Sequence, residues 1–396
     1  MAQDFVGSNN INLLVPSGQF GTRLAGGSDA ASPRYIFTHL APVSRYLFPE
    51  VDDALLSYRV DDGQSIEPEY FCPVIPLLLV NGSQGIGTGW STNIPPHNPL
   101  DVADYILAKL DGSQVPRIKP FARGFDGSFL VDPEKGSYVS KGRATPVSKK
   151  SILIDELPLR CWTNAYKQRL LKMRDRGEIS NFVENHTTSK VSFKVTLTAS
   201  RLHRLEGGDL EKALRLVSTF SVNNMHAFDE NMQITKYDSP ESIADAFFPV
   251  RLRLYGERKR MLEADLAFRS AMAESKARFI SLVKDGSIDL VSGATKQQLC
   301  DGLQALGFAT AQELKTMRAM HMDEDDSSVD GDGEHSLEST SHYDYLLGMP
   351  LSSLTQEKVA DLHQEAESRK SELADLRATT PEDLWREDLR KLKQHL

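Results

Sequence analysis

Arg34 and Tyr35 stand together in SDAASPRYIFTHL, after two small residues and Pro33 and ahead of the apolar pair Ile36–Phe37. A phenol has a pKa of about 10 and is a weak nucleophile at neutral pH unless something favours its anion. A cation within roughly 4–6 Å does so, and it also stabilises negative charge gathering on a phosphoryl group. Arginine suits this better than lysine because its planar fork donates two hydrogen bonds at once. The pair therefore has the chemistry for attack of Tyr35 on a phosphodiester. It also reads as a strand opening at Tyr35 with Arg34 solvated, and the dipeptide alone does not separate the two.

A second candidate is Ile86, set among glycines in GSQGIGTGWST. The glycines lack the spacing of a dinucleotide loop, and no acidic residue follows where one is needed. A bare apolar side chain on a glycine turn can wedge between base pairs and kink them; the plain alternative is a core isoleucine at a strand end. Trp162, close after Arg160 in ELPLRCW, reads equally as a nucleic-acid contact or a buried ring. Lys141, Arg143, Lys149 and Lys150 form a basic cluster able to meet phosphates or water. Asp330–Gly331–Asp332 looks like a metal pair but lies in low-complexity sequence without a strand to present it. The histidines show no ligand spacing, and His39 and His97 read as structural or solvated.

Which elements would carry these residues? The chain has 396 residues, 26% charged and 40% hydrophobic, the balance of a globular protein of two or three domains. It has no run of about eighteen apolar residues and no signal-peptide pattern at its start, so no membrane partner is expected. Three scattered cysteines argue for a reducing compartment and against a disulfide framework. The net charge of −9 hides two opposed regions. Residues 321–340 hold eight acidic residues and no Lys or Arg, and are expected to be disordered; Arg117–Arg176 holds fourteen basic residues against six acidic.

The first fifty residues are rich in glycine and asparagine and read as loops between short apolar runs. Ile75–Val80 reads as a buried strand, SILIDELPL and KVSFKVTL as strands of period two, and WTNAYKQRLLKMRDRGE as a helix. From Ser242 to Val283 the chain reads as one or two long helices, interrupted only by Pro249 and Gly256. Val359, Leu362, Ala366, Arg369, Leu373 and Leu376 follow heptad spacing and predict a second long helix with an antiparallel partner in the same chain. Thr380-Pro381-Glu382-Asp383 starts another helix, with a hydroxyl cap, proline at its first position and acids in the first turn.

GQFGTRLAGGSDAASPRYIFTHL closely resembles the active-site segment of eukaryotic-type DNA topoisomerase II, a type IIA enzyme. EPEYFCPVIPLLLVNGSQGIGTGWSTNIPPHNP and DELPLRCWTNAYK resemble later blocks of that family, and YDYLLGMPLSSLTQEK and PEDLWREDLRKL its closing ones. The likeness spans nearly the whole chain and implies the C-terminal part of the breakage-reunion core. The fold it implies is multidomain α+β. Residues 1–48 would be a partial winged-helix segment and 49–240 a mixed α/β tower. Residues 241–286 would be the outgoing helices of a long antiparallel coiled-coil arm, and 353–396 its returning helix followed by a C-terminal helix. A small helical C-gate would fill 287–352 and carry the acidic insert.

The resemblance implies that Tyr35 attacks a DNA phosphodiester to give a 5′-phosphotyrosine bond and a 3′ hydroxyl, that Arg34 stabilises the transition state, and that Ile86 intercalates. Trp162, Gln19, Arg23, Lys149 and Lys150 would lie against DNA. A lysine common in the family's loop is Ser28 here. The whole enzyme would use Mg2+ and ATP on toprim and ATPase portions, with neither bound by residues of this chain. It would act in the nucleus on double-stranded DNA as a homodimer joined at the C-gate, and this stretch alone would be inactive. The alternative function is a non-catalytic module that bends DNA and dimerises. SPRYIF and LWREDL follow the eukaryotic wording rather than that of the bacterial gyrase A-like branch, and the spaced Arg-His-Arg set of tyrosine recombinases is missing.

Overall fold

The computed structural model describes residues 1–132, 137–148, 150–198, 210–288, 295–320, 342–350 and 354–396. They form two compact units, one of Met1–Arg251 with Trp385–Leu396 and the other of Leu252–Leu384.

The larger unit is built of short antiparallel sheets and helices. In chain order its elements are α1 (Ser44–Leu47), β1 (Tyr58–Asp61), β2 (Gln64–Pro68), α2 (Leu77–Asn81), β3 (Ser83–Gly87), β4 (Trp90–Ile94) and α3 (Pro99–Leu110). There follow β5 (Ser128–Asp132), β6 (Ser137–Lys141), β7 (Arg143–Ser148), β8 (Ser151–Glu156), α4 (Thr163–Asp175), β9 (Ile179–Glu184), β10 (Phe193–Leu197), α5 (Leu210–Ala213), β11 (Val217–Ser221), β12 (Met225–Phe228) and β13 (Ile234–Tyr237). The strands order as β7-β8-β10-β9 and β11-β6-β5, with hairpins β1-β2, β3-β4 and β12-β13. The period-two segments behave as their pattern demands. Ile152 and Ile154 of β8 and Phe193, Val195 and Leu197 of β10 bury one face against Tyr166, Leu170 and Met173 of α4.

Ile75–Val80 is not a strand. Leu77–Asn81 coils into the single turn α2, with Pro76 at its cap. Val74, Ile75, Leu79 and Val80 are all fully buried. An apolar run of this length has no periodicity with which to choose between helix and strand, and Pro76, which cannot donate to a ladder, tips it to the helix.

Helix α6 (Pro240–Lys284) is one uninterrupted helix through Pro249 and Gly256. An interior proline costs about 3 kcal/mol. Packing of Phe247 and Phe248 against the ring of Trp385 offsets it, and the Trp385 indole donates to Val74 O at 3.0 Å. Arg251, fully buried, closes the same corner on Asp52 at 2.8 Å.

In the smaller unit, α7 (Lys296–Ala305), α8 (Ala311–Met320) and α9 (Asp344–Leu347) gather Leu303, Phe308, Tyr343 and Leu346 around Phe279 of α6. Helix α10 (Gln356–Ala378) lays Leu362 and Ala366, with Val359 beside them, against Ala273, Ala277 and Ile280 of α6. These are seam positions of the heptad pattern. Helix α11 (Pro381–Lys393) starts on Thr380, whose hydroxyl accepts from Asp383 N while the Asp383 carboxylate accepts from Thr380 N and Oγ. The acidic stretch 321–340, with Asp330 and Asp332, lies outside the described residues.

Candidate functional site

Tyr35 ends a 3-10 turn, Pro33–Tyr35, that Pro33 preorganises and that closes by donation of Tyr35 N to Ser32 O at 2.9 Å. The backbone on either side is pinned by a short antiparallel ladder. Ser17 and Phe37 exchange both their hydrogen bonds, at 3.1 and 3.0 Å, and Val15 N donates to His39 O at 2.9 Å. Only backbone is held here. The Tyr35 side chain is 68% exposed, and the Arg34 guanidinium carbon lies 5.3 Å from its ring centre. Such a cation–π contact is worth about 0.5–1 kcal/mol at an exposed site, enough to keep the cation beside the phenol. Neither the strand nor a buried role fits Tyr35.

Residues 17–31, which lead to the tyrosine, fold back on themselves. Ala31 N donates to Gln19 O at 2.9 Å. The Asp29 carboxylate accepts from Thr22 N at 2.9 Å and from the Thr22 hydroxyl at 2.5 Å, and these bonds hold it below the usual aspartate pKa. Gln19 is exposed and reaches Asp29 at 3.4 Å.

Arg23 does not face outward. It is 5% exposed and ion-paired with Glu156, itself 2% exposed, at the end of β8. Glu156 also accepts from Asp126 N at 3.0 Å and Leu157 N at 2.8 Å. Trp162 is half-buried beneath the same loop. A Cβ on Gly26 would come within 2.2 Å of the indole, so the ring and the backbone are in direct contact. The loop carbonyls of Arg23 and Leu24 accept from Thr163 N at 3.4 Å and Asn164 N at 2.9 Å, which satisfies the open N-terminus of α4. Arg23 and Trp162 thus fix the tyrosine loop from below.

Ile86 sits on the separate hairpin β3-β4 and is 92% exposed, which disposes of the core reading. The hairpin is braced along β4. Asn93 N donates to Asn224 O at 2.8 Å, Arg160 donates to Asn93 Oδ1 at 3.0 Å, and His226 packs edge-on to Trp90 with ring centres 5.3 Å apart. Just past the end of β4 in the chain, His97 is fully buried, and desolvation pushes its pKa down to about 4. The basic cluster is split. Lys141 is half-buried, Arg143 pairs with Asp155 at 2.8 Å, Lys150 is exposed on the β7–β8 turn, and Lys149 lies outside the described residues. Glu156, Asp29, Arg160 and Asn93 were missed as working residues, because their partners lie far off in sequence or in a loop whose closure no motif announces.

Among the described residues no three or more His, Cys, Asp or Glu side chains are placed to hold a metal ion. Nor is any helix among them long and apolar enough to cross a membrane.

The profile of the DNA gyrase/topoisomerase IV A-subunit family matches residues 1–390. DNA topoisomerase 2-alpha of Gallus gallus is 39% identical over all of this chain, which covers 26% of that protein. DNA topoisomerase 2 of Arabidopsis thaliana is 39% identical over the whole chain and 28% of its own length. The mitochondrial DNA topoisomerase 2 of Dictyostelium discoideum is 37% identical, with 100% and 29% covered. The chain thus spans about a quarter of the length of the curated relatives it matches. Its fold superposes with a TM-score of 0.85 on the DNA-binding, cleavage and re-ligation domain of Plasmodium falciparum topoisomerase II, at 34% identity, over 99% of this chain and 53% of the other.

Proposed function

The chain belongs to the DNA gyrase/topoisomerase IV A-subunit family, and from that membership we propose that it is the tyrosine-bearing part of a eukaryotic-type topoisomerase II cleavage core. The observation that carries this reading is the exposed Tyr35 phenol with the Arg34 guanidinium beside it, on a backbone pinned from both sides. Tyr35 oxygen attacks phosphorus, the bond to the 3′ oxygen breaks, and the phenolic proton is given up as the 3′ hydroxyl gains one. The 5′-phosphotyrosine ester keeps the bond energy, so reversal reseals the strand. Arg34 meets the charge that builds on the phosphoryl oxygens. Ile86 enters the base stack and kinks the duplex, and Gln19, Lys149 and Lys150 lie along its backbone.

Residues 1–48 are read as part of a winged-helix domain, 49–240 as the tower, 241–286 and 353–396 as the coiled-coil arm and 287–352 as the C-gate that pairs two copies. The support for the arm is the packing of α10 along α6. Duplex passage by the whole enzyme would be ATP-dependent, and Mg2+ and ATP would be held by toprim and ATPase portions. Alone, this stretch would cleave DNA poorly, because the ion is read as held on the toprim portion. The working place proposed is the nucleus.

The test is a covalent-complex assay in which the chain is combined with a toprim-bearing portion, supercoiled DNA and magnesium and then trapped with detergent. Protein on 5′ ends that disappears in Tyr35→Phe supports the reading. DNA bending with no linkage under any condition would leave the non-catalytic module.

A further inference from the structure

The tyrosine loop and the Ile86 hairpin are remote in sequence, yet one short segment, Glu156–Asn164, holds both. Toward the tyrosine loop it presents the Glu156 carboxylate to Arg23, the Trp162 ring to Gly26, and the Thr163 and Asn164 amides to the carbonyls of Arg23 and Leu24. Toward the hairpin it presents Arg160, which donates to Asn93 Oδ1 at 3.0 Å. Asn93 is itself fixed by Asn224 O at 2.8 Å and Ser221 O at 3.3 Å, so the bond reaches a braced point of β4 rather than a loose side chain.

Arg160 is also one of the few non-glycine residues with positive φ, at 63°. That conformation is unfavourable for a side chain with a Cβ and persists only where contacts over-determine it. The contacts here are the Asn93 bond and the Phe220 ring, 5.3 Å below the guanidinium, with Leu159 N tied to Ser140 Oγ at 3.1 Å next door. The backbone turn aims Arg160 at the hairpin while Trp162, two residues on, lies under the tyrosine loop.

We propose that Glu156–Asn164 registers Tyr35 against the Ile86 wedge, with Arg160 and Arg23 as positioning residues that couple the kink in DNA to the placement of the scissile phosphate. This rests on the function proposed above. Neither arginine touches the reacting atoms. Their effect is on whether a kinked duplex presents its phosphate to the phenol.

The experiment uses the chain combined with its toprim-bearing portion and compares unaltered protein with Arg160→Gln, Arg160→Lys and Asn93→Ala. The readouts are DNA affinity, the bend measured by fluorescence transfer between labelled duplex ends, and covalent complex. Arg160→Gln and Asn93→Ala should leave affinity within about twofold, since contacts to phosphate are untouched, but cut the bent fraction and the covalent complex about tenfold. Arg160→Lys, which keeps one donor for Asn93, should recover part of both. A duplex already kinked by an unpaired base at the wedge position should restore the covalent complex of Arg160→Gln to within about twofold of normal, because the deformation is then supplied in advance. Loss that the kinked duplex does not rescue, or no loss in either variant, would overturn the coupling while leaving the tyrosine chemistry standing. Absence of Tyr35-linked DNA in the unaltered protein would overturn the proposed function and the coupling together.

Discussion

Two glycine-rich segments of the larger unit have similar composition and opposite physical situations. In the tyrosine loop the glycines are in contact with structure. A Cβ on Gly21 would meet Gly27 Cα at 2.5 Å, and one on Gly26 would enter the Trp162 indole at 2.2 Å. On the β3-β4 hairpin, a Cβ on Gly85 or Gly89 would meet nothing within 4 Å. The first set is explained by packing; on the hairpin Gly89 is explained by its φ of 78° at the turn, and Gly85 by nothing within the fold. Under the proposed function, the open space around an isoleucine 92% exposed is the space a duplex would enter. The loop is therefore a positioned device whose changes register as stability, and the hairpin tip a presented one whose changes register only with a ligand.

The sharpest way to break this contrast is at the loop's buried ion pair. Glu156→Gln leaves Arg23 charged, buried and without its carboxylate. Removing one partner of such a pair costs about 3–5 kcal/mol. Denaturant unfolding of the variant should show a loss of that size, and a loss below about 1 kcal/mol would mean the loop is not held from beneath.

The packed residues that follow the hairpin in the chain should behave like the loop, and pH tests one of them. His97, just past the end of β4, is fully buried and its pKa is pushed down from 6.5 to about 4. Above about pH 6.5 both folded and unfolded states hold it neutral and stability is complete. As pH falls from 6.5 toward 4 the unfolded chain takes up a proton that the fold refuses, and stability drops by up to about 3 kcal/mol. Below pH 4 this loss levels off. Thermal melts of unaltered protein and His97→Gln across that range should converge as the pH is lowered; parallel curves would show that His97 is not the group that titrates.

Much of the secondary structure was legible because burial writes a period into the chain. The alternation in β8 and β10, the heptad positions of α10 and the Thr380 cap of α11 each carry their cause locally. Ile75–Val80 was not legible, since a run buried all round has no period. At the candidate site, the exposure of Tyr35 and Ile86 fits their motifs, but Arg23 and Trp162 could not be placed from sequence. A cation and an aromatic ring look alike in a motif whether they face DNA or the underside of a loop. What decides is Glu156, 133 positions from Arg23, and a glycine that fits the indole.

Gly26→Ala is a smaller strain than the broken ion pair. The new methyl group must displace the Trp162 ring, and a residue other than glycine must hold φ 66°. Overpacking costs typically about 1–3 kcal/mol, and a loss in that range is expected in chemical unfolding. Trp162→Leu combined with Gly26→Ala should lose less than the sum of the two single changes, because the smaller side chain removes the clash and the new methyl group fills part of the space the ring leaves. Strict additivity would show that the ring and the glycine do not share one contact.

The smallest effect on folding belongs to the hairpin tip, where it is most informative. Gly85 has ordinary φ and an open surrounding, and Ile86 buries almost nothing. Surface changes of this kind shift stability by less than about 0.5 kcal/mol. Gly85→Ala and Ile86→Ala should therefore melt with the unaltered protein. Their cost is expected in the DNA-bound state, where Ile86→Ala removes the apolar wedge and the bent fraction of a labelled duplex falls, while Gly85→Ala crowds the wedge's approach. A tip variant that destabilised the free protein by more than about 1 kcal/mol would mean that Ile86 already has a partner within the fold. The hairpin would then join the tyrosine loop as a packed element, and the open space around its glycines would need another explanation. Unchanged melting with lost bending would instead show that the free energy missing from the isolated hairpin is supplied by the duplex it kinks.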